Sequence, residues 1–190
     1  MSKAALNVIY GLAATFTLFS ICILIRPAGL AANDGLSYFG TFKTTIIPYS
    51  LAFLVDAYFY LKTAAYIKVD IPTFKYLTMS LQIMAVLLVG LLLTPHTLFD
   101  SIHTMFGATL FSLQFLLSIW LLLKDHFDWQ NIALFILEFL SGLAAFYYLP
   151  KPNGLLLQTQ LIFQLAFGAM LVRALNRKSV LPVVKSEVKS

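Results

Sequence analysis

Long apolar runs separated by short polar stretches set the pattern of this chain. Six runs approach or reach the roughly 20 residues that a helix needs to cross a hydrocarbon core about 30 Å thick. They lie near 5–26, 44–64, 75–94, 102–123, 130–149 and 157–175. None alternates apolar and polar residues with period two, which argues against a transmembrane β-barrel. Backbone amides in lipid must be bonded within the segment that carries them. The pattern therefore predicts an all-α, polytopic membrane protein, a bundle of six transmembrane helices. Turn-forming residues fall between the runs: Pro27, Gly29, Asn33, Asp34 and Gly35, then Asp70 and Pro72, then Pro95, then Pro150, Pro152, Asn153 and Gly154. Trp120 and Trp129 flank the fourth loop, where amphipathic rings favour a membrane interface.

The first run follows Lys3 and could be read as a signal peptide. At about 22 residues it exceeds the 7–15 of a signal core, and Arg26 precedes any small-residue cleavage site. A retained helix is expected. The whole then reads as one domain over 1–176 with a basic tail over 177–190, and no internal repeat is visible.

Composition narrows the class. Sixty per cent of the 190 residues are hydrophobic and 11% are charged, with a mean hydropathy of +0.86. Soluble domains are about 45–50% apolar and about 25% charged. A soluble enzyme, a DNA-binding domain and a disordered chain are excluded, despite a net charge of +5. The single cysteine excludes an intrachain disulfide framework and a cysteine-cluster metal site.

Basic residues give an orientation. With the N-terminus inside, the cytoplasmic side holds ten: Lys3, Lys62, Lys68, Lys75, Lys124, Arg173, Arg177, Lys178, Lys185 and Lys189. The outer side holds three, Arg26, Lys43 and Lys151. The positive-inside rule then places both termini in the cytoplasm, and a prokaryotic plasma membrane is the expected location. These charges hug the membrane, so anionic lipid headgroups are expected partners and nucleic acid is not.

Two polar clusters are candidates for function. The first lies inside the spans. Asp56 in the second and Glu138 in the fifth each fall about eight residues, roughly 12 Å, above the inner end. Gln82 in the third span and Gln114 in the fourth fall at about the same level. Ionisable groups at such depth are costly and demand pairing, protonation or hydration. Two carboxyls that met there would share a proton or bind a cation. Interhelical hydrogen bonding is the simpler role, with Tyr49 and Tyr60 on roughly the face of Asp56.

The second cluster gathers at the outer face. Arg26, Asp34, Ser37 and Lys43 lie in or beside the first loop, with His96, Asp100 and His103 around the start of the fourth span. Together they suggest a polar pocket for a ligand. If the fourth helix began early, His96, Asp100 and His103 would share a face as candidate metal ligands, although Pro95 is expected to leave His96 in the loop. Ser37, His103 and Asp100 also match a nucleophile, a base and an orienting acid, but no nucleophile-elbow context surrounds Ser37. No catalytic residue and no cofactor is assigned. Small residues (Gly107, Ser141, Gly142, Ala144, Ala145, Gly168) read as close helix contacts, and His126 as a solvated loop residue.

The segment Leu36-Ser37-Tyr38-Phe39-Gly40, with His103, Gly107 and Phe111 in the fourth span, resembles a bacterial and archaeal six-helix membrane family of unknown function. That family is distantly similar to eukaryotic autophagy-modulator and GPI-lipid-remodelling membrane proteins. The resemblance implies an outward pocket built by the first loop and fourth helix, linked to lipid. Tyr38 stands where it would place an acid.

The leading expectation is a non-enzymatic protein that binds or moves a small hydrophobic or lipid-like ligand through the outer pocket. The alternatives are a proton- or cation-coupled transporter using Asp56 and Glu138, a metal-dependent lipid hydrolase at the outer face, and an accessory subunit of a larger membrane complex. Homo-oligomerisation is compatible with each.

Overall fold

A computed structural model describes residues 1–124, 128–149 and 154–187. Asp125, His126, Pro150, Lys151, Pro152, Asn153 and Lys189 lie outside the described residues, as do the side chains of Lys178 and Lys185. Six long helices carry the fold: α1 (Lys3–Ile25), α2 (Ile46–Asp70), α3 (Lys75–Leu93), α4 (His96–Lys124), α5 (Trp129–Tyr148) and α6 (Leu156–Glu187). Short 3₁₀ segments, Pro27–Ala31, Gly35–Thr41 and Pro72–Phe74, fill the turns, and no strand occurs among the described residues.

By length and composition, α1, α4, α5, the stretch Pro72–Leu93 and the part of α6 up to Arg177 suit crossing a membrane. These five helices make the architecture that of an integral membrane protein. Helix α2 is long enough at 25 residues, but Asp56, Lys62 and its tyrosines dilute its apolarity. The exposed faces are oily: Leu24, Val86 and Phe146 are 79%, 68% and 79% exposed. Only 22% of the apolar window of α5 is buried within the protein. Water would penalise such a surface and lipid does not.

The helices form a closed circuit. Helix α1 packs against α2 and α6, α2 against α3, α3 against α4, and α4 against both α5 and α6, which also pack together. The end with the α1–α2 and α3–α4 turns is called the upper end here. Helices α2 and α5 are not packed neighbours, and this decides the fate of the two intramembrane acids.

Local chemistry explains the boundaries. The Ser2 hydroxyl caps α1 by accepting from the Ala5 amide at 3.1 Å, while the Ser2 amide donates to Asn176 Oδ1 of α6 at 3.0 Å. Pro27 closes α1 and starts a 3₁₀ turn. Helix α4 begins at His96, six residues earlier than the apolar run predicts, with a kink at Phe99 (φ −137°, ψ 48°). Pro95 does not exclude His96 from the helix. It sits just ahead of the first turn, where its missing N–H costs nothing. Helix α6 continues to Glu187, so the stretch set apart as a tail from 177 is helical in its described part.

The lower end is tied by charge. Asp128, which caps α5, accepts from Arg173 at 2.5 Å and from Arg177. Arg173 Nε also donates to Asn131 Oδ1 at 2.7 Å. Partial burial works against ionisation of Asp128, but hydrogen bonds from Arg177, the Gln130 amide and Arg173 outweigh it and hold the carboxyl below its ordinary value of 3.8. The lowered value means that the contact stabilises the fold above pH 3.8 and is lost as pH falls through the lower folded value. Asp128→Asn should therefore lower the Tm of detergent-purified protein at pH 7. The difference from wild type should shrink in a melting series taken below pH 3.8.

Gly35 turns the chain into the upper 3₁₀ segment with φ +54°. A Cβ there would also lie 2.3 Å from Gln160 Oε1. Gly35→Ala should cost about 1–2 kcal/mol from the left-handed backbone alone, and more from the clash. Thermal melting of Gly35→Ala with and without Gln160→Ala checks this, with the second change relieving only the clash.

Candidate functional site

Beneath the upper turns lies a cavity of about 920 Å³, walled by α1, α2, α4, α5 and α6 and roofed by the Gly35–Thr41 segment. Aromatic and aliphatic side chains supply most of its wall, including Phe16, Phe53, Phe111, Phe115, Leu143 and Phe146. Asn33, Asp34, Ser37, His96, Asp100 and His103 line its upper part. Asp56 reaches it from α2 and also borders a much smaller cavity between α1, α2 and α6. No lysine or arginine is among the described residues that line the large cavity.

The sharpest geometry joins Ser37 to His103. Ser37 Oγ lies 2.8 Å from His103 Nε2, and His103 Nδ1 lies 2.7 Å from the Thr94 carbonyl oxygen. A carbonyl only accepts, so Nδ1 carries the hydrogen. In the neutral ring Nε2 is then the acceptor, and the Ser37 hydroxyl donates to it. Tyr49 of α2 lies beside Ser37. Pro95 explains the availability of the Thr94 carbonyl, because the residue before a proline is pushed out of helical geometry. Thr94 stands at φ −117°, ψ 72°, and its own hydroxyl donates back to Gly90 at 2.7 Å. His103 is 6% exposed, so its orientation is also held by packing.

Asp100 does not orient His103. It pairs with His96 Nε2 at 2.9 Å across the α4 kink, and the two imidazole rings meet edge to face at 5.8 Å. The three residues gather at one place without making a metal site. Both His103 nitrogens are engaged, and no group of three such ligands is arranged for a metal among the described residues.

The remaining predicted pocket residues divide. Asp34 lines the cavity. Arg26 does not, since its guanidinium lies 3.6 Å above the Phe42 ring. Lys43 is exposed and is absent from the lining. Both long cations belong to the outer rim, where a charged head prefers to leave an apolar wall.

The predicted intramembrane layer is also only partly formed. Gln114 is fully buried and exchanges two hydrogen bonds with Gln164 of α6, at 2.9 and 3.0 Å. Its amide also donates to the Tyr60 hydroxyl at 3.1 Å. Gln82 points outward and is exposed. Asp56 and Glu138 sit on helices that are not packed neighbours, and Tyr60 lies within electrostatic reach of both. Glu138 is fully buried, and neither of its oxygens has a hydrogen-bond partner in the protein. Ser118 lies beside it, its Oγ equally without one. At this level an amide pair with a tyrosine joins the helices, in line with the simpler role of interhelical hydrogen bonding. Equal depth along two helices does not make them adjacent.

Sequence reasoning missed Gln160 and Gln164. Gln160 accepts from the Leu36 amide at 2.9 Å and fastens the roof to α6. The signal was present: Gln160, Gln164 and Gly168 recur every four residues and mark one face of the sixth span. No family model, no curated protein and no solved structure matches this chain.

The amide pair makes a test of buried polarity. Gln114→Leu strands Gln164 in an apolar setting and should cost about 1–3 kcal/mol. Adding Gln164→Leu should cost less than the two single losses combined. Denaturation of the four proteins in one detergent measures that coupling.

Proposed function

We propose that this protein spans the membrane with all six helices, both termini in the cytoplasm, and holds one hydrophobic or lipid-like molecule in the cavity under its outer face. The observation that carries the reading is the cavity itself, about 920 Å³ of mostly apolar wall with its Ser37, His103, Asp34, His96 and Asp100 groups at one end. Ligand pockets run from about 300 to 1,000 Å³, with a few polar groups that set orientation. An acyl chain fits among the phenylalanines, and a polar head fits at Ser37 and His103.

The charge of the lining refines the ligand. Asp34 and Asp100 stand at the mouth, while Arg26 and Lys43 turn away from it. An uncharged or cationic head is favoured over an anionic one. The resemblance to the six-helix family of bacteria and archaea is part of this proposal, as is a prokaryotic plasma membrane. The lower end supports the orientation: Trp120 packs against Phe74, and Arg173 and Arg177 gather at Asp128. A coupled transporter finds less support, because Asp56 and Glu138 do not face each other.

Gly107 lines the cavity, and a Cβ there meets only Leu91 Cδ2, at 3.9 Å. Gly107→Phe therefore fills the space with little strain. Native mass spectrometry of wild type should show retained lipid, reduced in Gly107→Phe and in His103→Ala. Exchange with monoolein should exceed exchange with oleate. Wild type that carries no lipid and takes up neither probe would overturn the reading.

A further inference from the structure

The Ser37–His103 contact has the form of an activated nucleophile. A serine hydroxyl is a weak nucleophile until a neighbouring base takes its proton, and that base must hold the right tautomer. Here the tautomer is set by the Thr94 carbonyl, which takes the Nδ1 hydrogen at 2.7 Å and leaves Nε2 facing Ser37 at 2.8 Å. A backbone carbonyl does the orienting work that a carboxylate does in an acid-bearing triad. Both side chains line the cavity, so a reacting carbon can approach from the apolar side. Tyr49 on α2 lies beside the serine.

From this geometry we infer that Ser37 and His103 cleave an acyl ester of the molecule held in the cavity, an inference that rests on the ligand-binding reading. Ser37 Oγ attacks the ester carbonyl carbon as its proton passes to His103 Nε2. The tetrahedral adduct collapses, the bond to the leaving alcohol oxygen breaks, and His103 returns the proton to that oxygen. The acyl group is then esterified to Ser37. Water attacks the same carbon, giving a proton to Nε2, and the bond to Oγ breaks. Ser37 recovers its proton from His103, and the products are the alcohol and the free acid. The chain lies among the phenylalanines, and the acidic mouth selects esters of uncharged or cationic alcohols.

Dodecyl fluorophosphonate tests the nucleophile, with peptide mass spectrometry to locate the adduct and native mass spectrometry of the same sample to report retained lipid. The expected result is one adduct on Ser37, absent in Ser37→Ala and formed at least about 100-fold more slowly in His103→Asn. Gly107→Phe should block the dodecyl probe and spare ethyl fluorophosphonate, because only the long chain needs the cavity. A melting curve of His103→Asn beside that of wild type separates a chemical loss from a loss of fold. Addition of 4-nitrophenyl decanoate should release a burst of nitrophenol stoichiometric with protein. Wild type that retains lipid yet labels nowhere overturns the catalytic inference and leaves ligand binding standing. A Ser37 label whose rate is unchanged in a folded His103→Asn overturns the pairing. Wild type that retains no lipid and takes up neither monoolein nor oleate overturns the binding reading on which the inference rests.

Discussion

Lipid offers a polar group no hydrogen bond, so each amide, hydroxyl or carboxyl in this bundle must find a partner within the protein or border a cavity. That constraint organises the interior. Gln114 and Gln164 satisfy each other and reach Tyr60, which joins α2, α4 and α6 at one level. Asn7 does the same between α1 and α2, donating to Thr63 Oγ1 at 2.7 Å and to the Phe59 carbonyl at 3.0 Å. Polar contacts of this kind are individually modest in membranes, about 0.6–2 kcal/mol. Their effect on register is larger, because a shifted helix would strand several groups at once.

The same constraint shapes the cavity. Its roof is not an irregular loop but the 3₁₀ segment Gly35–Thr41, pinned at both ends. Gln160 holds the Leu36 amide, and the Thr45 hydroxyl donates to the Phe39 carbonyl at 2.7 Å. Phe39 itself is fully buried. A roof fastened in this way positions Ser37 from above, while α4 brings His103 from the side. Neither element alone makes the pair. Proline at position 95 contributes twice, by starting α4 early and by turning the Thr94 carbonyl towards His103.

Two buried groups stand apart from the amide network. The Glu138 carboxyl and the Ser118 hydroxyl have no hydrogen-bond partner among the described residues, and Asp56 borders two cavities at once. The helix circuit keeps the two acids on helices that are not packed neighbours. The packing thus separates an upper site with paired, oriented groups from a deeper set of isolated acids.

Much of this architecture was legible in the residues alone. Apolar length and turn residues specify helices and a membrane setting, with five helices long and apolar enough to cross, because these depend on local pattern and on transfer between water and oil. All six helices occur close to the predicted runs. The sequence also marks Ser37, His96, Asp100 and His103 as one cluster, since they border the same two turns. Tertiary structure alone decided which polar groups meet. It paired Asp100 with His96 rather than His103, gave His103 a backbone carbonyl instead, matched Gln114 with Gln164, turned Gln82 outward, and kept Asp56 from Glu138. Depth along a helix can be counted in the sequence, but the azimuth of a side chain and the identity of the neighbouring helix are set by packing among six rods.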